Sequence, residues 1–502
     1  MTTSEHTHSH IDTLVVGGGI SGLAYAHARG PDARVVVLEA SARAGGCILT
    51  DSAEGARFEC GPEALQDDAA ETRTLLGELG LEVVPADAAA QRRFVLREAP
   101  AVQRRQRRAA EMDAIDTAAG KAFDTRSAPG GRLVEFPTGP GDFLKSELLS
   151  RRGKLRAMSE PFRAGGKALD GSVADFVRHR LGDEVLDWMV DPFVSGIYAG
   201  DPELVSVRAA FPKLVEMVEQ HGSLMKGLKA RAKARRAAAG SGDAAAGKRG
   251  PPSLLTVKGG LQRLPDALAA ALGDKLRLSW PVHELDRDRR DWIVRGPAGE
   301  LRAHRLIIAT GAGMAARLLQ AEKVLSESLG SITAESVVSV THLWRRQDVA
   351  HPLDGFGYLV PSRLMADGPG SDSGLRHLGT LFSSSINPAC CPTGTVLLRT
   401  LLGGARHPEL ADPSATSAED LRGIVADEVG AVLGLSEEPL FSSVVTWPDV
   451  LPRYDLDHPG RLATIEERLG KTPGLSLLGN YRRGISVNAL IEVARTLGRA
   501  HV

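Results

Sequence analysis

Apolar and polar positions fall into several distinct patterns along the chain. T-L-V-V, residues 13–16, is an unbroken apolar run that reads as a buried strand. G-G-G-I-S-G turns from it into the helix I-S-G-L-A-Y-A-H-A-R, and R-V-V-V-L-E supplies a second buried strand ending at Glu39. Together they make a βαβ unit of about thirty residues. R-L-I-I-A-T, residues 305–310, and L-S-L-L-G-N, residues 475–480, have the composition of further buried strands, and a helical pattern follows to the C-terminus. R-F-V-L-R and R-L-V-E-F-P are strand-like and flank an Ala- and Arg-rich stretch, 99–130, with little apolar periodicity. Residues 221–252 carry eight Lys or Arg against one Asp, which predicts a basic helix running into a linker on the solvated surface.

Composition narrows the class. A chain of 502 residues is long enough for two or three domains and too long for a single small binding module. Its 61 Lys and Arg against 62 Asp and Glu leave a net charge of −1, so no overall field draws it to nucleic acid. Aromatic residues are only 4%, which leaves Leu, Val, Ile and Ala to fill the core. Cys47, Cys60, Cys390 and Cys391 lack metal-ligand spacing, so no metal site is expected, and the adjacent pair is expected as free thiols because neighbouring cysteines are strained as a disulfide. No run reaches about 18 apolar residues and the N-terminus lacks a secretory pattern, so a cytoplasmic protein is expected.

The strongest chemical signal is the first turn. Gly17, Gly19 and Gly22 fit G-x-G-x-x-G, with Gly18, Ile20 and Ser21 between them, where backbone N–H groups at a helix N-terminus can meet a pyrophosphate. Glu39, twenty residues after Gly19, is placed to accept from an adenosine ribose, and its charge repels a 2′-phosphate. A tight strand-to-helix turn without a ligand would leave that carboxylate unexplained. Beyond it, E-A-S-A-R-A-G-G places Ala40, Arg43 and Gly46 where a cation and a bare backbone can meet the cofactor.

This extended pattern resembles the flavin-dependent amine oxidase superfamily, and F-E-C-G-P-E-A-L, with Gly61, Pro62, Glu63 and Ala64, is similar to that group's next flavin contact. D-F-V-R-H-R-L-G-D-E-V-L-D-W-M-V-D-P-F-V-S-G-I-Y-A-G-D-P-E-L-V-S-V-R-A-A-F-P, residues 175–212, narrows the resemblance to the protoporphyrinogen oxidase family. F-P-T-G-P-G-D-F-L, V-K-G-G-L-Q-R-L-P, G-F-G-Y-L-V-P, L-G-T-L-F-S-S-S and G-N-Y-R-R-G-I-S-V-N extend it in order along the chain.

The resemblance implies a fold of the α/β plus α+β class: a discontinuous Rossmann-like FAD-binding domain with an inserted mixed-sheet substrate domain and a helical, membrane-facing subdomain. The expected FAD-binding segments are 11–90, 253–325 and 441–502. A helical and substrate-domain part spans 91–220 with the insert-like 99–130, a basic linker or insert spans 221–252, and the substrate domain spans 326–440. Val282 matches the position whose backbone meets the adenine end. Trp447, Ile485, Ser486 and Val487 match contacts near the flavin ring, although Trp447 reads equally well as a core aromatic. A helix starting at Ser486 would direct its positive end at the flavin edge where negative charge gathers on reduction. No Cys lies in the C-terminal motif where some amine oxidases tether flavin, so noncovalent FAD is expected.

The implied activity is oxidation of protoporphyrinogen IX to protoporphyrin IX in haem biosynthesis, by hydride transfer to FAD and reoxidation by oxygen or another acceptor. With the chemistry on the cofactor, no catalytic acid or base is assigned, and Asp201 in A-G-D-P reads as a turn acid. The tentative substrate residues are Gln66, where relatives place a basic residue, Leu359, which serves equally as ordinary core, and Asn387, where relatives place an aromatic. Coproporphyrinogen III stays open as the substrate. So do an amine or polyene in a related flavin oxidase, and binding with little turnover. Peripheral contact with the inner face of the cytoplasmic membrane and homodimerisation are also left open.

Overall fold

Two large sheets organise the chain in the computed structural model, which describes residues 11–98, 131–163, 169–240, 253–366 and 374–502. The insert-like 99–130 and the linker half of the basic segment, 241–252, lie outside the described residues.

The first sheet is built around Ile11–Val16, which pairs in parallel with Val35–Leu38 on one side and Gly299–Ile308 on the other. Leu276–Arg277 extends it beyond Val35–Leu38, and Leu475–Leu477 pairs with the C-terminal half of Gly299–Ile308. Two antiparallel strands, Asp291–Gly296 and Glu284–Asp288, complete it. Both faces are covered, which is why these strands read as unbroken apolar runs. Val15, Val37 and Ile307 pack under the helices Ile20–Ala28 and Val487–Ala500, while Leu14, Leu38 and Ile308 face Ala312–Leu318 and His458–Gly470. Segments from the start, middle and end of the chain thus share one sheet, as the discontinuous Rossmann-like architecture requires.

The second sheet runs in the order Phe441–Pro452, Ala334–Arg345, Thr395–Gly403, His377–Leu381, Gly357–Leu359, Phe94–Glu98, Arg132–Glu135. Its first strand lies within the segment expected to bind FAD at the C-terminal side and pairs antiparallel with Ala334–Arg345, about a hundred residues upstream. One face buries Val338, Val340, Leu398 and Leu402 against the helix Ala418–Leu433. Leu65–Gln66, Leu254–Val257 and Val83–Pro85 form a smaller antiparallel sheet.

Helices from Pro140 to Gly240 form a third unit around Leu148, Phe176, Trp188 and Val218. Glu160 and Arg180 are both 0% exposed and pair at 3.1 Å. Burial pushes the Glu160 carboxyl up, but bonds from Ser223 Oγ (2.5 Å), Leu224 N (2.9 Å), Met225 N (3.2 Å) and Arg180 outweigh it and hold the group below its usual value. The carboxylate therefore also caps the N-terminus of the basic helix Leu224–Gly240, whose existence matches the sequence expectation. Leu144, Leu155, Met158, Leu228 and, at 89%, Phe162 stand exposed on this unit. Among the described residues no helix is long and apolar enough to cross a membrane.

Candidate functional site

The three motif glycines have three different environments. A Cβ on Gly17, at φ +111°, would lie 2.7 Å from Ala309 O, so this residue makes the turn. A Cβ on Gly22 would lie 2.0 Å from Gly17 O, so the helix can approach the turn only there. At Gly19, the N-cap of Ile20–Ala28, a Cβ would meet nothing within 4 Å. The open space lies at a helix N-terminus, which is the chemistry of an anion cradle. Ile20 and Ser21 begin the helix and are buried.

Glu39 closes this cradle on the side of the second strand. Its Oε2 accepts from Gly18 N at 2.6 Å, and its Oε1 accepts from Ser41 N at 2.8 Å and Ser41 Oγ at 2.7 Å. Ala40 is exposed beside it. Trp280 N donates to Glu39 O at 2.8 Å, which brings Val282, two residues on, to the same end of the sheet. The second glycine pair folds onto the first turn: Gly45 N donates to Gly18 O at 2.8 Å, and a Cβ on Gly46 would stand 3.3 Å from Gly19 Cα. Arg43 turns inward and donates to Ile48 O at 3.0 Å, Ala44 O at 3.2 Å and Gly46 O. It braces the loop in this structure rather than facing the open cradle.

Further along, Gly61 sits hard against Cys47 O, 1.8 Å from where a Cβ would stand. Trp447 donates from Nε1 to Cys60 O at 2.7 Å and packs with Phe58 and Cys60. It is a core aromatic in this sense, and it fixes the residue before Gly61. Pro62, Glu63 and Ala64 continue the loop, half-buried. At the C-terminal side, Ser486 caps the helix Val487–Ala500 through Oγ, which accepts from Ala489 N at 3.2 Å, with Ile485 just before it. Gly484 N donates to Tyr454 Oη at 3.1 Å. Asn488 Nδ2 donates to Gln66 O at 2.8 Å, joining this helix start to the strand Leu65–Gln66.

The three tentative substrate positions are held by different segments. Gln66 has its side chain exposed and its backbone bound to Asn488. Leu359 lies on the second sheet opposite Gly379 and Val95. Asn387 ends the short helix Ser383–Ile386, with its N–H on Ser383 O and its carbonyl receiving Cys390 N. Asp201 is a turn acid: its Oδ1 accepts Glu203 N at 2.9 Å and pairs with Arg406. All four cysteines are free, and a bond from Cys390 draws the Cys391 thiol down to about 7.

Strand register adds residues that the sequence pattern alone does not single out. Leu359 pairs with Gly379, Gly379 with Leu401, Leu381 with Arg399, Arg399 with Thr341, and Val337 with Trp447. Side chains of paired residues share a face. One sheet face therefore carries Leu359, Leu381 and Leu401 as a half-buried apolar floor, with Arg399 and Trp447 at the end beneath the Gly61 loop. Two residues before Val95 on the same face stands Arg93, its guanidinium 5.5 Å from the Phe356 ring. Arg93 is exposed, desolvation by its neighbours lowers its pKa, and no carboxylate among the described residues pairs with it. Arg399, alone within an apolar strand, was a signal the sequence offered; Arg93, just before the strand Phe94–Glu98, was not singled out in this way.

A separate cavity of about 660 Å³ lies between the helical unit and the C-terminal segment, lined by Tyr198, Phe211, Tyr454, His458, Arg483 and Gly484 among others. It touches the residue before Ile485 and contains none of Gln66, Leu359 or Asn387.

Residues 20–488 match the model of the family described as flavin containing amine oxidoreductase. The chain belongs to that family. It is an oxidoreductase whose cofactor is FAD, and the open cradle at Gly19 together with the carboxylate of Glu39 fits the pyrophosphate and ribose of that group. The chain is 29% identical to the mitochondrial protoporphyrinogen oxidase of Nicotiana tabacum, over 98% of this chain and 95% of the relative. It is 30% identical to the chloroplastic protoporphyrinogen oxidase of Oryza sativa subsp. japonica, over 96% and 86%. Coproporphyrinogen III oxidase of Bacillus subtilis (strain 168) is 26% identical over 95% of both chains. A crystal structure from Exiguobacterium sp. 255-15 superposes with a TM-score of 0.75 at 22% identity, covering 98% of this chain and 99% of the other. Cyclohexylamine oxidase from Brevibacterium oxydans shares the fold at a TM-score of 0.63 and 18% identity, covering 98% of each chain.

Proposed function

We propose that the protein oxidises a porphyrinogen to the porphyrin in haem biosynthesis, with protoporphyrinogen IX as substrate and oxygen as the final acceptor. The observation that supports this reading is the sheet face of Leu359, Leu381 and Leu401, apolar in its middle, with an exposed Arg93 toward one end that pairs with no carboxylate among the described residues. A flat macrocycle with propionate arms needs such a surface: apolar contact for the rings and a guanidinium for a carboxylate. The protoporphyrinogen oxidases among its relatives support the same substrate class.

When bound, FAD supplies the hydride acceptor. The protein's part is binding and orientation. The helix start at Gly19–Gly22 would hold the pyrophosphate, since the Gly17 and Gly18 N–H groups already go to Leu38 O and Glu39; Glu39 would hold the adenosine ribose and Val282 the adenine side. Gly61, Trp447 and the helix start at Ile485–Val487 would bound the ring end, where a positive helix terminus would favour developing negative charge. No side-chain acid or base is needed at the floor, which is apolar.

Coproporphyrinogen III is the second reading. Arg97, at an irregularity two residues beyond Val95 with its guanidinium over the Trp188 ring, is a second cation on the same strand, and additional propionates would use additional cations. A relative of that name in Bacillus subtilis supports it. The exposed Leu155 and Phe162 beside the basic helix support peripheral contact with an anionic membrane. Anaerobically prepared protoporphyrinogen IX and coproporphyrinogen III, each supplied to the FAD-loaded protein in air, separate the two readings by initial rate of porphyrin fluorescence. No rise above autoxidation with either substrate, in a protein whose flavin is reducible, overturns both.

A further inference from the structure

Arg399 stands in the middle of the strand Thr395–Gly403, 4% exposed, in a run that is otherwise apolar or small and polar. An isolated guanidinium at such a place is costly unless its donors are met. Here its two terminal nitrogens are met by one short loop of the first-sheet unit, while Nε has no partner among the described residues. Nη1 donates to Glu63 Oε2 at 2.7 Å and to Glu59 O at 3.1 Å, and Nη2 donates to Gly61 O at 2.5 Å. Glu63 is itself mostly buried, at 11%. One side chain of the second sheet thus grips three residues of the Glu59–Glu63 segment, which Trp447 also holds through Cys60 O.

The grip has a direction. Gly61 leaves no room for movement on its other side, where Cys47 O already touches it. Arg399 therefore fixes the loop in the plane of the sheet face while Cys47 fixes its distance from the first turn. The adenosine end of the cradle, at Gly18 and Glu39, makes no use of Arg399.

We propose that Arg399, with Glu63, is a positioning residue that sets the Gly61 loop against the ring end of FAD and contributes to binding of that half of the cofactor only. This rests on the FAD site assigned above and adds to it a division of labour: Glu39 and the glycine turn hold the adenosine diphosphate half, and the Arg399 clamp the isoalloxazine half.

The division is testable with a fragment. ADP contains the adenosine and pyrophosphate but no flavin ring, so binding of FAD and of ADP to the deflavinated full-length protein reads the two halves separately by calorimetry. Arg399→Met is expected to weaken FAD by at least about tenfold, the loss from removing charge-assisted hydrogen bonds, and to leave ADP within about twofold. Because the single variant strands the Glu63 carboxylate, Arg399→Met with Glu63→Gln is the companion; it is expected to show the same FAD deficit and the same intact ADP binding. Arg399→Lys, which keeps one charged contact, is expected between wild type and Arg399→Met. Unchanged FAD affinity in Arg399→Met, parallel loss of FAD and ADP, or full FAD affinity in the double variant each overturns the clamp. Glu39→Ala distinguishes its failure from that of the underlying site: it should weaken both ligands, and if it weakens neither, the assigned adenosine site is wrong and the clamp loses its basis.

Discussion

The cradle makes opposite demands at two glycines three residues apart, Gly19 and Gly22, and alanine at each separates folding from cofactor binding. In Gly22→Ala the new methyl would stand 2.0 Å from Gly17 O, so the turn and helix must part by more than an ångström. Overpacking of that kind costs about 1–3 kcal/mol. Helix propensity returns about 1 kcal/mol of it, because alanine replaces glycine inside Ile20–Ala28. Because the clash is with a backbone oxygen the cost falls at the upper end, and the cofactor-free variant should be destabilised by about 2 kcal/mol. Gly19→Ala differs: its backbone is extended, at φ −71° and ψ 176°, and its methyl meets nothing. Cofactor-free stability should stay within about 0.5 kcal/mol of wild type, as for a substitution away from packed features. The methyl then occupies the space assigned to the pyrophosphate. Loss of one hydrogen bond to a charged group is worth about 1.5–3 kcal/mol, or roughly 10- to 150-fold in FAD affinity. Denaturant unfolding of the deflavinated proteins and equilibrium dialysis with FAD measure the two quantities. Wild-type FAD affinity in Gly19→Ala would refute the assignment of the open space, and equal destabilisation of both variants would refute the division of roles.

Other outcomes follow from particular contacts. Burial, above all, raises the Glu59 carboxyl to about 7, although Leu261 N and Thr50 Oγ1 donate to it. The folded state then holds a proton that the unfolded state releases near 4.5, so the contribution of Glu59 is fully present below 4.5 and is lost as pH rises to about 7. The span is worth about 3 kcal/mol, and Glu59→Gln should therefore gain stability relative to wild type between pH 5 and pH 8, measured by thermal unfolding at each pH. Glu160→Ala leaves Arg180 buried without that partner and uncaps Leu224–Gly240; a loss of about 3–5 kcal/mol and reduced helical circular dichroism are expected. Phe162→Asp with Leu155→Asp should abolish sedimentation with anionic vesicles while leaving FAD content unchanged, and undiminished sedimentation would remove this face as the contact.

The first sheet was legible because its information is local. A βαβ unit puts the strand, glycine turn, helix and terminal carboxylate within about thirty consecutive residues, and each leaves its own mark on the pattern. Buried runs at 305–308 and 475–477 were visible for the same reason, as both of their faces are covered. The face that carries Leu359, Leu381 and Leu401 was not legible as a unit. Its members sit on three strands, and whether they point the same way depends on registers that no single strand encodes. The pairing of Phe441–Pro452 with Ala334–Arg345 was not legible for the same reason. Arg399, within a plain strand, and Arg93, just before one, draw their significance from what does or does not face them. Gln66 and Asn387, picked out by comparison with a family pattern, turn out to be held by the helix start at Asn488 and by a local turn, respectively.

The central claim is that this fold brings a porphyrinogen to FAD for oxidation. Mixing the FAD-loaded protein with protoporphyrinogen IX under strict anaerobiosis, and then admitting oxygen, tests it most directly, because flavin absorbance reports the first two-electron transfer and porphyrin fluorescence the complete six-electron oxidation. The account predicts that the oxidised-flavin absorbance bleaches before oxygen is admitted, and that oxygen restores the absorbance and brings up porphyrin fluorescence as the remaining electrons leave through repeated turnovers. A flavin that dithionite reduces but that neither protoporphyrinogen IX nor coproporphyrinogen III bleaches would contradict it.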